Sequence, residues 1–209
     1  AGTSIGNSVT LNYHDENGND QAPETSNTST INISQEAGVE FDIATTNYDV
    51  TPGDKLVVPI EITNTGNGVD TFDGSYTSNY LSWNFYCDNN GDGVLDTSVD
   101  TLCTDTDGDG LPDTGEVQPG ATKQILGVTT VPEGTNDLTD DSLNFTATSD
   151  YDSTVSSTGI INTTVHAPEI TVQKSVSPSG EQPPETVLTY TITVVNNGSG
   201  VAKNVKIID

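Results

Sequence analysis

Hydrophobic and polar positions alternate along most of this chain, and the alternation has a period of two. In "KLVVPIEIT" the residues Leu56, Val58, Ile60 and Ile62 share one face, with Val57, Pro59, Glu61 and Thr63 on the other. In "TVLTYTITV" Leu188, Tyr190, Ile192 and Val194 alternate with threonines. Near the start Val9, Leu11 and Tyr13 alternate, a turn falls at Asn17-Gly18, and Ile31 and Ile33 follow. Such runs, rich in β-branched residues and bounded by Gly, Asn, Asp and Pro, predict strands. No stretch carries a helical period. Short strands with frequent turn signals predict an all-β sandwich.

The pattern also repeats. "IEITNTGNGV" at 60–69 aligns with "ITVVNNGSGV" at 192–201, matching Asn64 to Asn196, Gly66 to Gly198, Gly68 to Gly200 and Val69 to Val201. The first copy runs on through an acidic insert (87–116) and further strands, which predicts a complete sandwich over 39–167. The second copy, in 168–209, reads as the opening strands of another. Residues 1–38 read as a hairpin like the one closing the middle domain, "DSLNFTATSDYDSTVSSTGIINTTV". The second β-module is thus incomplete and split between the two ends.

Neither end buries an apolar face alone, because a lone hairpin is marginal in water and its edges invite pairing. One resolution is strand complementation, with 188–194 and 201–207 lying against Val9–Tyr13 and Ile31–Ile33 of a neighbouring copy. That contact is heterologous and repeats into a filament unless it closes a ring. Two others remain open: head and tail fold together within one chain, or the polypeptide continues past Asp209.

Composition narrows the partners. The formal charge is −26, with 31 acids against 5 lysines and no arginine. Phosphate backbones need clustered Lys and Arg, so nucleic acid is not an expected partner, nor is an anionic membrane surface. No run of about 18 apolar residues is present to span a membrane. "AGTSIGNS" begins with small residues, as a terminus left by signal cleavage would. Cys87 and Cys103 bracket an acidic loop. The pair predicts a disulfide and an oxidising compartment, the alternative being two thiols. Loop-closure entropy makes such a bond worth about 3 kcal/mol.

The acids cluster with ligand spacing. "DTDGDGLPDTGE" fits D-x-D-x-D-G-x5-E, the spacing of a calcium loop. Calcium takes six to eight oxygens from alternating positions. Asp105, Asp107 and Asp109 supply the first three, and Gly110 the sharp turn. The Leu111 carbonyl, Asp113 and a bidentate Glu116 complete the shell. "DNNGDGVLDTSVD" predicts a second ion at Asp88, Asn90, Asp92, the Val94 carbonyl and Asp96. Its twelfth position is Val99, so either Asp100 or an acid from the neighbouring loop must close it. The alternative for either loop is a solvated acidic turn. No amphipathic helix flanks them, which predicts calcium that rigidifies an insert rather than calcium that moves helices.

"DKLVVPIEITNTGNGVDTF", "WNFYCDNNGDGVLD" and "VQPGATKQILGVTTVPEG" resemble the Asn-Thr-Gly-rich repeat domains of large prokaryotic surface and secreted proteins. The acidic loops are similar to thrombospondin type-3 and dockerin-like calcium repeats. The resemblance implies an immunoglobulin-like β-sandwich, export, and a cell-surface or matrix role. Two function classes follow. One is a secreted filament or surface-layer subunit assembling with itself and stabilised by calcium. The other is a calcium-dependent adhesin or carbohydrate-binding module, which a concave cluster of exposed aromatics would favour. No enzyme is expected: neither His14 nor His166 sits in a nucleophile motif. Sequons at Asn27, Asn32, Asn144, Asn162 and Asn197 permit glycans without predicting them.

Overall fold

The period-two pattern becomes fifteen strands and no helix among residues 3–44 and 46–209, the part of the chain described by the computed structural model. The head holds β1 (Ser4–Asn7), β2 (Thr10–Leu11), β3 (Glu24–Thr25) and β4 (Ser29–Asn32). The middle begins with β5 (Val39–Asp42), β6 (Asn47–Val50), β7 (Lys55–Asn64) and β8 (Phe72–Thr77). It continues through β9 (Trp83–Cys87), β10 (Thr101–Leu102), β11 (Thr122–Thr130), β12 (Thr139–Ser149) and β13 (Ser156–Val165). The tail holds β14 (Ile170–Ser177) and β15 (Thr189–Asn196).

Two sheets face each other in the middle. One has the order β10-β9-β11-β7-β5 and the other β6-β13-β12-β8. With β10 set aside, the first sheet places the chain's first, third, sixth and fifth middle strands in the A, B, E and D positions. The second places C, F and G together, with β6 as a parallel A′ strand beside β13. This is the immunoglobulin arrangement, and the domain is an immunoglobulin-like β-sandwich. Alternate residues of each strand point inward. Val58, Ile60 and Ile62 of β7 therefore meet Leu143, Phe145 and Ala147 of β12 in one core with Phe72, Trp83, Ile125 and Ile161. Phe145 packs against both Phe41 and Phe85, with ring centroids 5.5 and 4.7 Å apart.

The repeat is real at the level of single hydrogen bonds. Asn64 Nδ2 donates to the Gly68 carbonyl at 2.8 Å, and Gly66 N donates to Asn64 Oδ1. Asn196 Nδ2 likewise donates to the Gly200 carbonyl at 2.8 Å, and Gly198 N to Asn196 Oδ1. Val39 pairs with Asn64 as Ile170 pairs with Asn196, so β14–β15 repeats the register of β5–β7. Each turn closes on the segment leading into its own first strand, with Thr65 N donating to Gly38 O and Asn197 N to Glu169 O. That closeness explains the glycines. A Cβ on Gly66 would lie 2.6 Å from the Glu36 carbonyl oxygen, and one on Gly198 would lie 2.2 Å from that of Ala167. Gly66→Ala is therefore expected to destabilise by about 1–3 kcal/mol through overpacking against backbone. Urea unfolding checks it, and a loss below about 0.5 kcal/mol would mean that the linker yields instead.

At the head, β1 pairs with β4 and β2 with β3, and a His14–Asp20 bridge leads to a turn at Gly18. All are arms of one long hairpin. Among the described residues, head and tail do not pair with each other within the chain. Within the single chain 201–207 forms no strand. Its counterpart in the sandwich, β8, is held by β12, and the tail contains no such partner.

Candidate metal centre

Strand β9 ends at Cys87, and the chain leaves the sandwich there for both acidic loops. Cys87 and Cys103 form a disulfide with Cα atoms 5.0 Å apart, and Thr101 and Leu102 pair back onto Cys87 and Tyr86. The first loop is therefore the tip of a short hairpin. The second returns along the edge strand β8 of the opposite sheet, through isolated bridges Asp73–Asp113 and Asp70–Val117. The insert spans the open side between the sheets, and its cystines lie against the core.

The two loops have one hydrogen-bond plan. Asp105 accepts from Gly108 N (2.6 Å) and Gly110 N (3.0 Å), while Asp88 accepts from Gly91 N (2.6 Å) and Gly93 N (2.8 Å). Asp107 Oδ1 receives Asp109 N as Asn90 Oδ1 receives Asp92 N. Asp109 Oδ1 receives Leu111 N as Asp92 Oδ1 receives Val94 N. Gly91, Gly93, Gly108 and Gly110 all have positive φ, which only glycine adopts without strain. These local bonds curl both loops, and in the second the acids converge, whereas Asp88, Asp92, Asp96 and Asp100 of the first form no such cluster. Carboxylate oxygens of Asp105, Asp107 and Asp109 lie within 4.8 Å of one another, an arrangement that fits a hard, oxygen-seeking cation.

Closure differs from the spacing rule. In the first loop Asp100 is 2% exposed and accepts from Asn89 N (3.1 Å) and Asp96 N (2.7 Å), so it sits inside the loop. Asp96 caps Ser98 through its N–H and hydroxyl, which hold its carboxyl below the usual range. In the second loop Glu116 is exposed and belongs to neither carboxylate cluster, while Asp113 is buried. Asp113 accepts from Thr106 Oγ1 (2.7 Å) and Gly115 N (2.6 Å).

One acid at the centre has no signal in the motif. Asp73 lies on β8, and its carboxylate joins those of Asp107 and Asp113 within 4.8 Å. Burial first, then the charges of Asp109, Asp107, Asp150 and Asp113, push its carboxyl up to about 6. Asp105 moves the other way, lowered chiefly by the Gly108 N–H. Asp107 is raised, first by burial.

A cavity of about 730 Å³ lies elsewhere, at the joint between sandwich and tail. His166 sits there between Ser199 Oγ (2.5 Å) and Asp49 (3.1 Å). The Ser199 hydroxyl also reaches Asp137 Oδ1 at 2.6 Å, which ties this group to the joint. No Tyr, Trp or Phe lines the cavity.

No protein-family model matches the chain, and no curated protein matches it. Among solved structures it is similar to α-2-macroglobulin from Escherichia coli, at 14% identity and a TM-score of 0.41, over 69% of this chain and 19% of that one. A family 123 glycoside hydrolase from Clostridium perfringens shares 9% identity at 0.40, over 62% of this chain and 27% of that one. A PapD-like domain of human CEP192 shares 12% at 0.32, over 61% and 84%. This chain spans only a small part of the first two proteins, and at such distances their activities have no bearing on it.

Proposed function

We propose that this protein is a secreted structural subunit of an extracellular filament or surface layer. Copies join head to tail by strand complementation, and calcium stiffens the middle domain. The observation that carries this reading is the state of β14–β15. Val58, Ile60 and Ile62 of β7 are buried, yet by the repeat their counterparts Tyr190, Ile192 and Val194 have no opposite sheet. Tyr190 is exposed, as are Leu188 and Val172, the latter matching Phe41, which packs against the core, while Ile192 and Val194 are only half-buried. The head is bare in the same way, with Ile5, Val9, Leu11 and Ile31 exposed. Contiguous apolar faces of this kind mark interaction sites.

The tail supplies A and B positions and the head hairpin supplies the F and G positions. A neighbour's β1–β2 edge then pairs with 201–207, as β12 pairs with β8, and gives that segment the partner it lacks. The disulfide fits an oxidising compartment, and among the described residues no helix is long and apolar enough to cross a membrane. The likeness to Asn-Thr-Gly surface repeats agrees with export. A carbohydrate-binding role has less support, because the cavity at the joint offers no aromatic platform for sugar stacking.

Deleting residues 186–209 is expected to abolish self-assembly while the middle domain stays folded and keeps its calcium. Light scattering after size exclusion and negative-stain microscopy read the assembly, and circular dichroism reads the fold. Undiminished assembly by the truncated protein would sink the tail-to-head contact. A full-length protein that stays monomeric would instead mean that other residues cover these faces.

A further inference from the structure

The loop spacing accounts for one ion among Asp105, Asp107 and Asp109, but it leaves Asp73 without a role. Asp73 follows the core residue Phe72 on β8 and so faces away from the core, yet it is only 7% exposed. Its Oδ1 is fully enclosed and has no hydrogen-bond partner. Its directly bridged neighbour across the strand pair is another buried acid, Asp113. Like charges facing each other across a bridge destabilise it, and an enclosed carboxylate without a partner costs more still. No lysine approaches: the ion pairs among the described residues involve only His14, His166 and Lys174, all outside the insert.

The geometry points to a further divalent-cation site, outside the loop motifs, formed by Asp73, Asp107 and Asp113, with the Asp107 carboxylate shared between it and the ion of the 105–116 loop. The inference rests on the loop binding calcium as proposed above. Each carboxylate has about four lone-pair directions. Asp113 can therefore keep its bonds to Thr106 and Gly115 while offering another lone pair, and Asp107 can bridge two ions. The donors are all oxygen, and three are charged within a 4.8 Å cluster. That set suits calcium, whose irregular shell tolerates two buried donors on one side and water on the exposed Asp107 side; magnesium demands a stricter octahedron. Its consequence is mechanical. The loop ion ties the insert only to itself, whereas the Asp73 ion ties it to the sheet containing β8. Calcium would then lock the insert across both sheets of the sandwich.

The test is calcium titration by calorimetry on the intact protein, beside Asp73→Asn and Asp105→Asn variants, with thermal unfolding of each. Asp73→Asn is expected to bind one calcium fewer than wild type while retaining the loop ions. Its calcium-induced rise in Tm should be smaller by roughly 5–10 °C at calcium about 100-fold above the dissociation constant. Without calcium the same variant should melt no lower than wild type, because it removes a repelling charge, and this separates a lost ligand from a damaged fold. Full wild-type stoichiometry in Asp73→Asn, with one ion lost in Asp105→Asn, overturns the Asp73 site and leaves the loop reading intact. The reverse pattern overturns the loop reading and keeps the Asp73 site. Absence of calcium binding by wild type overturns both.

Discussion

Asp141→Ala is expected to cost about 3–5 kcal/mol and to lower Tm by roughly 10 °C. The carboxylate is buried on β12 and organises the connection from β8 to β9. Its Oδ1 accepts from Ser78 Oγ (2.7 Å) and from the N–H groups of Asn79 (2.9 Å), Tyr80 (2.7 Å) and Leu81 (3.2 Å). Its Oδ2 accepts from Trp83 Nε1 at 3.2 Å. Alanine would leave the four N–H donors without their acceptor, while the Ser78 hydroxyl can turn to the Leu81 carbonyl, and a buried donor left unmet costs the full desolvation of that group. Asp141→Asn should recover part of the loss. Its amide oxygen can serve the four-donor side, but its NH2 then faces the indole N–H.

The pH dependence has a definite sign. Burial alone would raise the Asp141 carboxyl, but the Ser78, Tyr80, Trp83 and Leu81 donors outweigh it, and the net shift is downward. A depressed folded-state value contributes stability that is complete above the unfolded value of about 3.9 and lost as pH falls through the folded one. Wild type should therefore lose this contribution only in acid below about pH 4, and Asp141→Asn should lack that part of the acid limb. Urea unfolding between pH 2.5 and 7 measures both. An alanine variant within about 1 kcal/mol of wild type would mean that the connection finds other acceptors.

Calcium removal is the second large effect. The two loop ions alone, each at about 100 times its dissociation constant, stabilise the folded state by about 5 kcal/mol together. Chelation is then expected to lower Tm by roughly 10–20 °C. Nine acids fall between Asp88 and Glu116, and no Lys or Arg lies among them. Without cation they repel one another, and 1 M sodium chloride should recover part of the loss by screening the exposed members. Cleavage by an added protease should move into 104–116, while the β7–β11–β12–β13 core stays protected. A Tm indifferent to chelator would remove calcium from the account and leave the disulfide as the brace of the insert.

Most of the strands, the curled loops and the disulfide were legible in the chain, because each depends on residues near one another in sequence. Leu56 to Ile62 alternate, so they had to present one face. Asp105 is three and five residues from Gly108 and Gly110, so the loop bonds follow from spacing alone. Asn64 and Asn196 build the same turn because an asparagine followed at the same spacing by two glycines recurs. What spacing could not reveal depends on register between distant segments. Asp73 reaches the loop only because the returning insert pairs with β8 across forty residues. Asp141 meets residues 78–83 only because β12 lies beside β8. Glu116 keeps the right number but points away, since Val117 beside it is drawn to Asp70 and the core. The segment 201–207 has the alternation of a strand, yet a strand needs a partner. Only the tertiary structure decides whether one is there, because its hydrogen bonds belong to the neighbour as much as to the sequence that carries them.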